Sequence, residues 1–386
     1  MIVTVTPNPA LDLTWHVAAL QVGGTHRADA GQARAGGKGL NVARVAHAQG
    51  AAALAVTTSG GATGAEFAAE LAAAGVPHTL VPVAAGTRRS IALVDEALGD
   101  TTIVNEYGTA PSAHEWTALT DAVTAVLAGE RRDVLGADTP DVGPIRGNRP
   151  SSGVSAPEVS RGGADADAVG AAPADVLVIS GSLPPGTPNE LLPSLIRLGR
   201  DAGATVIVDT SGPALLVAAD AGASVLKPNQ QELKDATGLE DPIDGARELL
   251  RRGAELVLLS LGAEGMLAVS AGWETHRDAA AQSPALSILH ARLDAPLAGN
   301  PTGAGDAAVA ACAVLMDAGI RDPEQILRRA TAWSAAAVLM PLAGEIHPSW
   351  PDLEHALTVT SRPVASRPVT SRPVTGQEPA DPKESR

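Results

Sequence analysis

Cysteine and aromatic side chains are nearly missing from this chain. Its 386 residues include one Cys, one Tyr and one Phe, and aromatics make up 2% of the total. A single thiol excludes a disulfide framework and any multi-Cys zinc centre. The nine histidines are scattered without His-x-x-x-His or His-Glu-x-x-His spacing, which argues against zinc again. No Gly-x-Ser-x-Gly elbow supports acyl transfer. Positive charge is also short: 28 Lys plus Arg stand against 43 Asp plus Glu, a net charge of −15. That balance argues against a general binder of nucleic acid or anionic membrane, while leaving room for a local basic pocket. The start, Met1-Ile-Val-Thr-Val-Thr6, lacks a signal peptide's positive end and long apolar stretch. The best apolar run, Ala307 to Met316, falls well short of the ~18–20 residues that cross a bilayer. A soluble, cytoplasmic setting without membrane or nucleic-acid partners is expected.

What is present is aliphatic: hydrophobic residues make up 45% of the chain, enough for a large core. Short β-branched runs alternate with longer Ala/Leu-rich stretches. Strands are expected at Ile2–Thr6, Leu54–Thr57, Val176–Ser180, Thr205–Asp209, Ser224–Lys227, Leu256–Ser260 and Met266–Val269. Helices are expected at Leu40–Gln49, Gly64–Ala74, Ser112–Ala128, Asn189–Ala202, Gln230–Thr237, Gly245–Arg252, Asp306–Ala318 and Pro323–Ala337. This βαβ alternation predicts an α/β fold with a mostly parallel sheet and ligands beyond the strands' carboxyl ends. Leu11–Ala35 and Thr87–Tyr107 read instead as paired short strands, a small antiparallel β lid. Two segments read as disordered: an insertion at 129–174, rich in Gly, Pro, Ser, Asp and Arg, and a tail at 359–386 with three Ser-Arg-Pro-Val copies. The remainder, within 1–358, is expected to form one catalytic domain.

The sharpest local signal is Asn300-Pro-Thr-Gly-Ala-Gly-Asp306, followed directly by an apolar helix. Gly303 and Gly305 free the backbone so that successive N–H groups can face one anion. Asp306 then reads in two ways. It either caps the helix or takes a proton from a hydroxyl attacking a bound phosphate. Gly303-Ala-Gly-Asp-Ala-Ala308 also fits a dinucleotide fingerprint, but Asn-Pro-Thr rather than a strand precedes it, which argues against NAD. Gly36-Gly-Lys-Gly-Leu-Asn-Val-Ala-Arg44 is a second glycine-rich site and is not a Walker A loop. There Lys38 could reach a phosphate and Asn41 a sugar hydroxyl; the alternative is a tight turn with a solvated lysine. Leu226-Lys-Pro-Asn-Gln-Gln-Glu232 puts Asn229 and Glu232 on one face of a starting helix, suited either to water-held Mg²⁺ or to capping. Ser180-Gly-Ser-Leu-Pro-Pro185, Ser260-Leu-Gly-Ala-Glu-Gly265 and Thr87-Arg-Arg-Ser90 could each touch substrate, nucleotide or an anionic group, or be ordinary turns and edges. Cys312 reads as a small core residue.

In this order and spacing the motifs resemble the ribokinase-like fold, and within it the phosphofructokinase-B family of sugar kinases. Thr4-Val-Thr-Pro-Asn-Pro-Ala-Leu-Asp12, the Lys of the Gly-Gly-Lys-Gly loop and Ser180-Gly-Ser-Leu-Pro184 are most similar to its hexose-phosphate branch, which includes 1-phosphofructokinase and tagatose-6-phosphate kinase. The resemblance implies a three-layer α/β/α domain with a small β lid, using ATP and Mg²⁺. It implies Asp306 as general base, with backbone N–H groups of Gly303, Ala304 and Gly305 on the transferring phosphoryl group. Asp12, Gly37, Asn41 and Ser180 are implied at the sugar, and Lys38, Arg88 and Arg27 at the sugar's own phosphate. Lys227, Ser260 and Gly262 border the nucleotide, with Gly305 beside them, and Asn229 and Glu232 organise the metal through water. The acceptor expected is a phosphorylated ketohexose: fructose 1-phosphate first, with tagatose 6-phosphate or fructose 6-phosphate as the alternative. A silent sugar-phosphate sensor is the rival from another class. A homodimer through the lid is expected from its exposed sheet.

Overall fold

The computed structural model describes residues 1–129, 175–271 and 286–363. The expected insertion, apart from Gly129, and the tail beyond Pro363 lie outside the described residues. In chain order the strands are β1 (Ile2–Thr6), β2 (Ala10–Val17), β3 (Gln32–Gly36), β4 (Ala53–Ser59), β5 (His78–Pro82), β6 (Arg88–Asp95) and β7 (Asp100–Asn105). They continue with β8 (Val176–Ser180), β9 (Thr205–Asp209), β10 (Val225–Leu226), β11 (Leu256–Ser260), β12 (Met266–Ala271), β13 (Leu286–Arg292) and β14 (Thr358–Pro363).

Ten strands form the main sheet in the order β14-β13-β12-β11-β10-β9-β8-β1-β4-β5. From β11 to β5 every pairing is parallel, whereas β12, β13 and β14 add on antiparallel. Side-chain alternation splits the parallel strands between two cores. Val3, Leu177, Val206 and Val257 face one side; Ile2, Val178, Ile207 and Leu258 face the other. The second side is covered by α1 (Lys38–Ala48) and α2 (Gly61–Ala73). The first side is covered by α3 (Ala113–Leu127), α4 (Leu191–Asp201), α5 (Pro213–Asp220), α6 (Gln230–Thr237) and α7 (Pro242–Arg252). On the second side α8 (Ala304–Asp317) lies beside α1, α9 (Pro323–Val338) packs on α8, and α10 (Trp350–Ala356) lies against α9. This is the expected three-layer α/β/α arrangement. Its cores are aliphatic, with Trp333 and Phe67 the bulkiest fully buried side chains.

The lid is a separate four-stranded sheet, β3-β2-β6-β7. Its outer pairs are antiparallel and its central pair, β2 with β6, is parallel. Asp95 stiffens one end by accepting from the Leu20, Ala97 and Leu98 N–H groups at 2.9, 3.0 and 3.0 Å. One expectation needs correction. The tail does not begin at 359, because Thr358–Pro363 pairs with β13 from Arg292↔Thr358 to Ser287↔Pro363. The first Ser-Arg-Pro of the repeat thus supplies the sheet's last strand. Proline is tolerated there because an edge strand's outward N–H needs no partner.

Candidate active site

The carboxyl ends of the central strands form the floor of a cleft of about 790 Å³, and the lid forms one wall. Asp209 closes β9, Lys227 follows β10 and Ser260 closes β11. The starts of α1 and α8 converge on the same place. Gly303 takes φ +84° to turn the chain into α8, and a Cβ there would lie 2.7 Å from Ala343. Only glycine fits both the left-handed backbone and the contact.

Asp306 stands in the first turn of α8 and is 5% exposed. Its Oδ2 accepts from Asn41 Nδ2 at 2.8 Å. The N-cap is Gly303, without a side-chain cap, so Asp306 is not the helix's cap. Burial pushes its pKa up to about 7. Lys38, Asn41 and Lys227 oppose that shift, and Asp209 adds to it. A carboxylate near neutrality is matched to taking a proton at physiological pH. The expected row of N–H donors is altered at one position, since Ala304 N–H donates to the Pro301 carbonyl at 3.2 Å. Those of Gly305 and Asp306 are helix-start donors without an intrahelical acceptor. Gly305 packs against Lys227, whose Nζ lies 3.1 Å from where a Cβ would stand.

Lys38 lines the cleft and is tied to acidic partners. Its Nζ donates to Asp209 Oδ1 at 3.2 Å and lies 3.7 Å from Glu232 Oε1. Its pKa is raised, mainly by Asp209, with Asp306 and Glu232 adding and burial opposing. Asp209 is fully buried. Burial alone would raise its pKa, yet Lys38 and Lys227 together hold it below the usual carboxylate range. Ser180, expected at the substrate, is also fully buried, and its Oγ donates to Asp209 Oδ2 at 3.2 Å. The two are register neighbours across β8 and β9, so the hydroxyl faces the adjacent strand rather than the cleft.

At the lid end Asp12 on β2 is opposite Ser90 on β6 and lies within electrostatic reach of Arg88, two residues away along β6. Burial pushes Asp12 up to about 6, against the opposing charges of Arg88 and Arg34 and a bond from Ser90. The guanidinium of Arg88 donates to the backbone carbonyls of Asn8 and Glu106, both at 3.3 Å. Burial lowers its pKa, offset by Asp12 and Glu106. Gly36 makes room for the Asp12 carboxylate: a Cβ there would stand 1.8 Å from Asp12 Oδ2, so Asp12 would have to move. Arg27 lies on the exposed stretch between β2 and β3, outside the cleft lining. Residues 21–33 are all exposed, so no core packing draws Arg27 towards the cleft.

Asn229 and Glu232 form a reciprocal capping box at the start of α6: Asn229 accepts from Glu232 N–H and Glu232 Oε2 accepts from Asn229 N–H. Capping is therefore their structural role. Glu232 Oε1 remains turned towards Lys38. No group of three or more His, Cys, Asp or Glu suited to a metal occurs among the described residues. Asn229 and Glu232 would suit an ion carried in on nucleotide phosphates and held through water. Lys227, Ser260 and Gly262 line the cleft near them. Its remaining wall is aliphatic, with Leu293, Pro296, Leu297 and Val338.

Sequence reasoning missed Asp209 and Asn8. Asp209 carried a usable signal, an acid at the carboxyl end of a parallel strand, where α/β folds bind ligands. Asn8 had none. It donates to the Tyr107 carbonyl and to Ser182 Oγ, tying the lid's end to the loop after β8.

Comparison with solved structures defines the class. A ribokinase from Thermotoga maritima superposes with a TM-score of 0.57 at 20% identity, over 92% of this chain and 98% of that one. Phosphofructokinase-2 from Escherichia coli, solved with fructose-6-phosphate, superposes with a TM-score of 0.69 at 26% identity, over 92% and 98%. This is the ribokinase-like fold of the sugar kinases. The pfkB family carbohydrate kinase profile matches residues 6–140 and 162–350. A 1-phosphofructokinase from Xanthomonas campestris is 32% identical over 86% of this chain and 89% of its own length. ATP-dependent 6-phosphofructokinase isozyme 2 from Mycobacterium tuberculosis is 31% identical over 88% and 84%. The chain belongs to the pfkB family of carbohydrate kinases and is a phosphotransferase with an alcohol acceptor.

Proposed function

We propose that this kinase transfers the γ-phosphoryl group of ATP to a phosphorylated ketohexose, fructose 1-phosphate giving fructose 1,6-bisphosphate being the favoured pair. The observation that carries the reading is Asp306, a buried carboxylate held near neutrality beside a glycine-rich helix start, in a cleft with an arginine at its far, lid end. Arg88 takes the acceptor's own phosphate through its planar fork. Asp12, Gly37 and Asn41 hold the sugar hydroxyls. Asp306 accepts the proton of a primary hydroxyl as its oxygen bonds to the γ-phosphorus and the bond to the β–γ bridging oxygen breaks. ADP leaves with that bridging oxygen, and the proton passes from Asp306 to solvent. Backbone N–H groups at the helix start, those of Gly305 and Asp306, stabilise the charge spreading over the transferring group. Mg²⁺, carried with ATP beside Asn229 and Glu232, supplies further charge neutralisation when bound. The lid keeps water from competing with the sugar.

Relatives with near-equal identity are named for fructose 1-phosphate and fructose 6-phosphate chemistry, which supports the hexose-phosphate class. Arg88 favours an anionic acceptor over a neutral one. The test is a coupled ATP-to-ADP assay with Mg²⁺ against fructose 1-phosphate, fructose 6-phosphate, tagatose 6-phosphate, fructose and ribose. A tenfold or greater kcat/KM preference, about 1.4 kcal/mol, for fructose 1-phosphate supports the proposal. Preference for another phosphosugar moves the acceptor, and preference for a neutral sugar removes the phosphate role of Arg88. No turnover with any of the five favours a sugar-phosphate sensor.

We also propose pairing with a second copy through the lid. Its edge strand β7 exposes Ile103 and Val104, 45% and 55% accessible, an apolar edge of the kind that recruits another sheet. Light scattering should give twice the chain mass; a monomer would contradict it.

A further inference from the structure

We propose that Lys38 is a cation that neutralises the transferring phosphoryl group, and that buried Asp209 is the positioning residue that holds it there. The inference rests on the kinase reading above and changes which end of the substrate Lys38 serves. Lys38 lies among Asp209 and Glu232, at 3.2 and 3.7 Å, and within electrostatic reach of Asp306. Arg88 lies at the other end, with Asp12, Asn8 and Glu106. A phosphosugar bearing a reacting hydroxyl presents two separate places that need positive charge: its own phosphate and the group being transferred. The cleft supplies Arg88 at one and Lys38 with Lys227 at the other. The base must stand beside the attacking hydroxyl, so the cations on the base's side serve the transferring group; Lys227 packs on Gly305, and Lys38 is the one tethered to Asp209.

The tether explains why a flexible side chain can do this. Lysine carries its charge on a stem of four rotatable carbons and presents three donors. Asp209 takes one of them, and Glu232 lies close to the amine, leaving a donor for a phosphoryl oxygen. Asp209 is itself immobile. It is fully buried at the end of a central strand, with its second oxygen held by Ser180. Ordering the cation before substrate arrives removes an entropic cost from the reacting complex. Neither Asp209 nor Ser180 contacts substrate in this account.

Nucleotide binding tests the inference without turnover. Calorimetry would compare ADP with the β,γ-imido analogue of ATP, both with Mg²⁺, on wild type, Lys38→Met and Asp209→Asn. Lys38→Met should weaken the imido analogue at least tenfold and ADP less than threefold. Asp209→Asn should move the same ratio in the same direction by a smaller factor, which a merely structural residue would not do. Because Lys38→Met leaves a buried carboxylate without its partner, the double variant Lys38→Met with Asp209→Asn guards against misfolding and should reproduce the ratio. An unchanged ratio in folded variants overturns the inference, as does a raised KM for the phosphosugar with kcat intact. Wild type inactive on every acceptor sinks the function reading, while the nucleotide ratio still decides the role of Lys38. Failure of wild type to bind either nucleotide overturns both.

Discussion

Asp306 couples the reaction to pH through its burial. With its carboxyl pushed up to about 7, kcat/KM should fall about tenfold per pH unit below that value, because the protonated form cannot accept the hydroxyl's proton. The same burial has a stability consequence with a fixed sign. A pKa raised from 3.8 in the unfolded chain to about 7 means that the folded state binds the extra proton between those values. Asp306 therefore costs stability increasingly as pH rises through that window. Asp306→Asn should raise Tm at pH 8 by an amount worth about 1–4 kcal/mol, and the gain should shrink towards pH 5. Thermal melts at the two pH values check it, and a uniform gain would mean that the carboxyl is ordinary in the folded protein. At the lid end, Arg88→Met should raise KM for the phosphosugar by about 10–100-fold, the worth of hydrogen bonds to a charged group, with KM for ATP little changed. Steady-state kinetics with each substrate varied in turn separates the two. Asp306 stood out in the sequence because its glycine-rich motif has a mechanical reason, whereas Arg88 was singled out from weaker candidates by the family resemblance. Asp209 was not, since Thr205–Asp209 reads as one more strand until Lys38 is seen folding onto it.

Elements with one strong period were legible from the sequence. The helix starting at Ala304 follows a glycine-rich loop with an unbroken apolar run, and ten of its residues are buried. β1, β8 and β9 are buried along nearly their whole length and read as β-branched runs. The sheet's margins were harder. β5 and β13 carry His78, His290 and Arg292 and alternate between buried and exposed, so neither shows the apolar run of a central strand. β14 was hidden within a proline repeat, where composition points to an extended tail, and only pairing with β13 reveals the strand. That strand has consequences for truncation. β13 leads directly into Leu293–Gly299, part of the cleft wall. Ending the chain after Leu357 strips β13 of its partner and should lower Tm and raise KM for ATP. Ending it after Pro363 should do neither. Melts and kinetics on the two truncations compare them directly; equal behaviour would mean that β14 contributes nothing.

Across the whole molecule, a chain with net charge −15 and only four lysines places Lys38 and Lys227 in one cleft with Arg88. An acidic protein thereby keeps positive charge where two anionic substrates meet, consistent with a pocket rather than a surface field. The family resemblance carried by the two glycine motifs holds for the fold: the three-layer α/β/α arrangement and the small lid sheet agree with it. Spatial closeness is what the sequence withheld, most plainly in the Ser180–Asp209–Lys38 chain that joins three distant segments. The central claim is that Asp306 drives phosphoryl transfer to a phosphosugar. It is tested most directly by ³¹P NMR of ATP, Mg²⁺ and fructose 1-phosphate with wild type and with Asp306→Asn. The account predicts a hexose bisphosphate resonance growing with ADP in the wild type, and the same product about 10²–10⁴-fold more slowly in the variant. Equal rates in the two proteins, or release of inorganic phosphate alone, would contradict it.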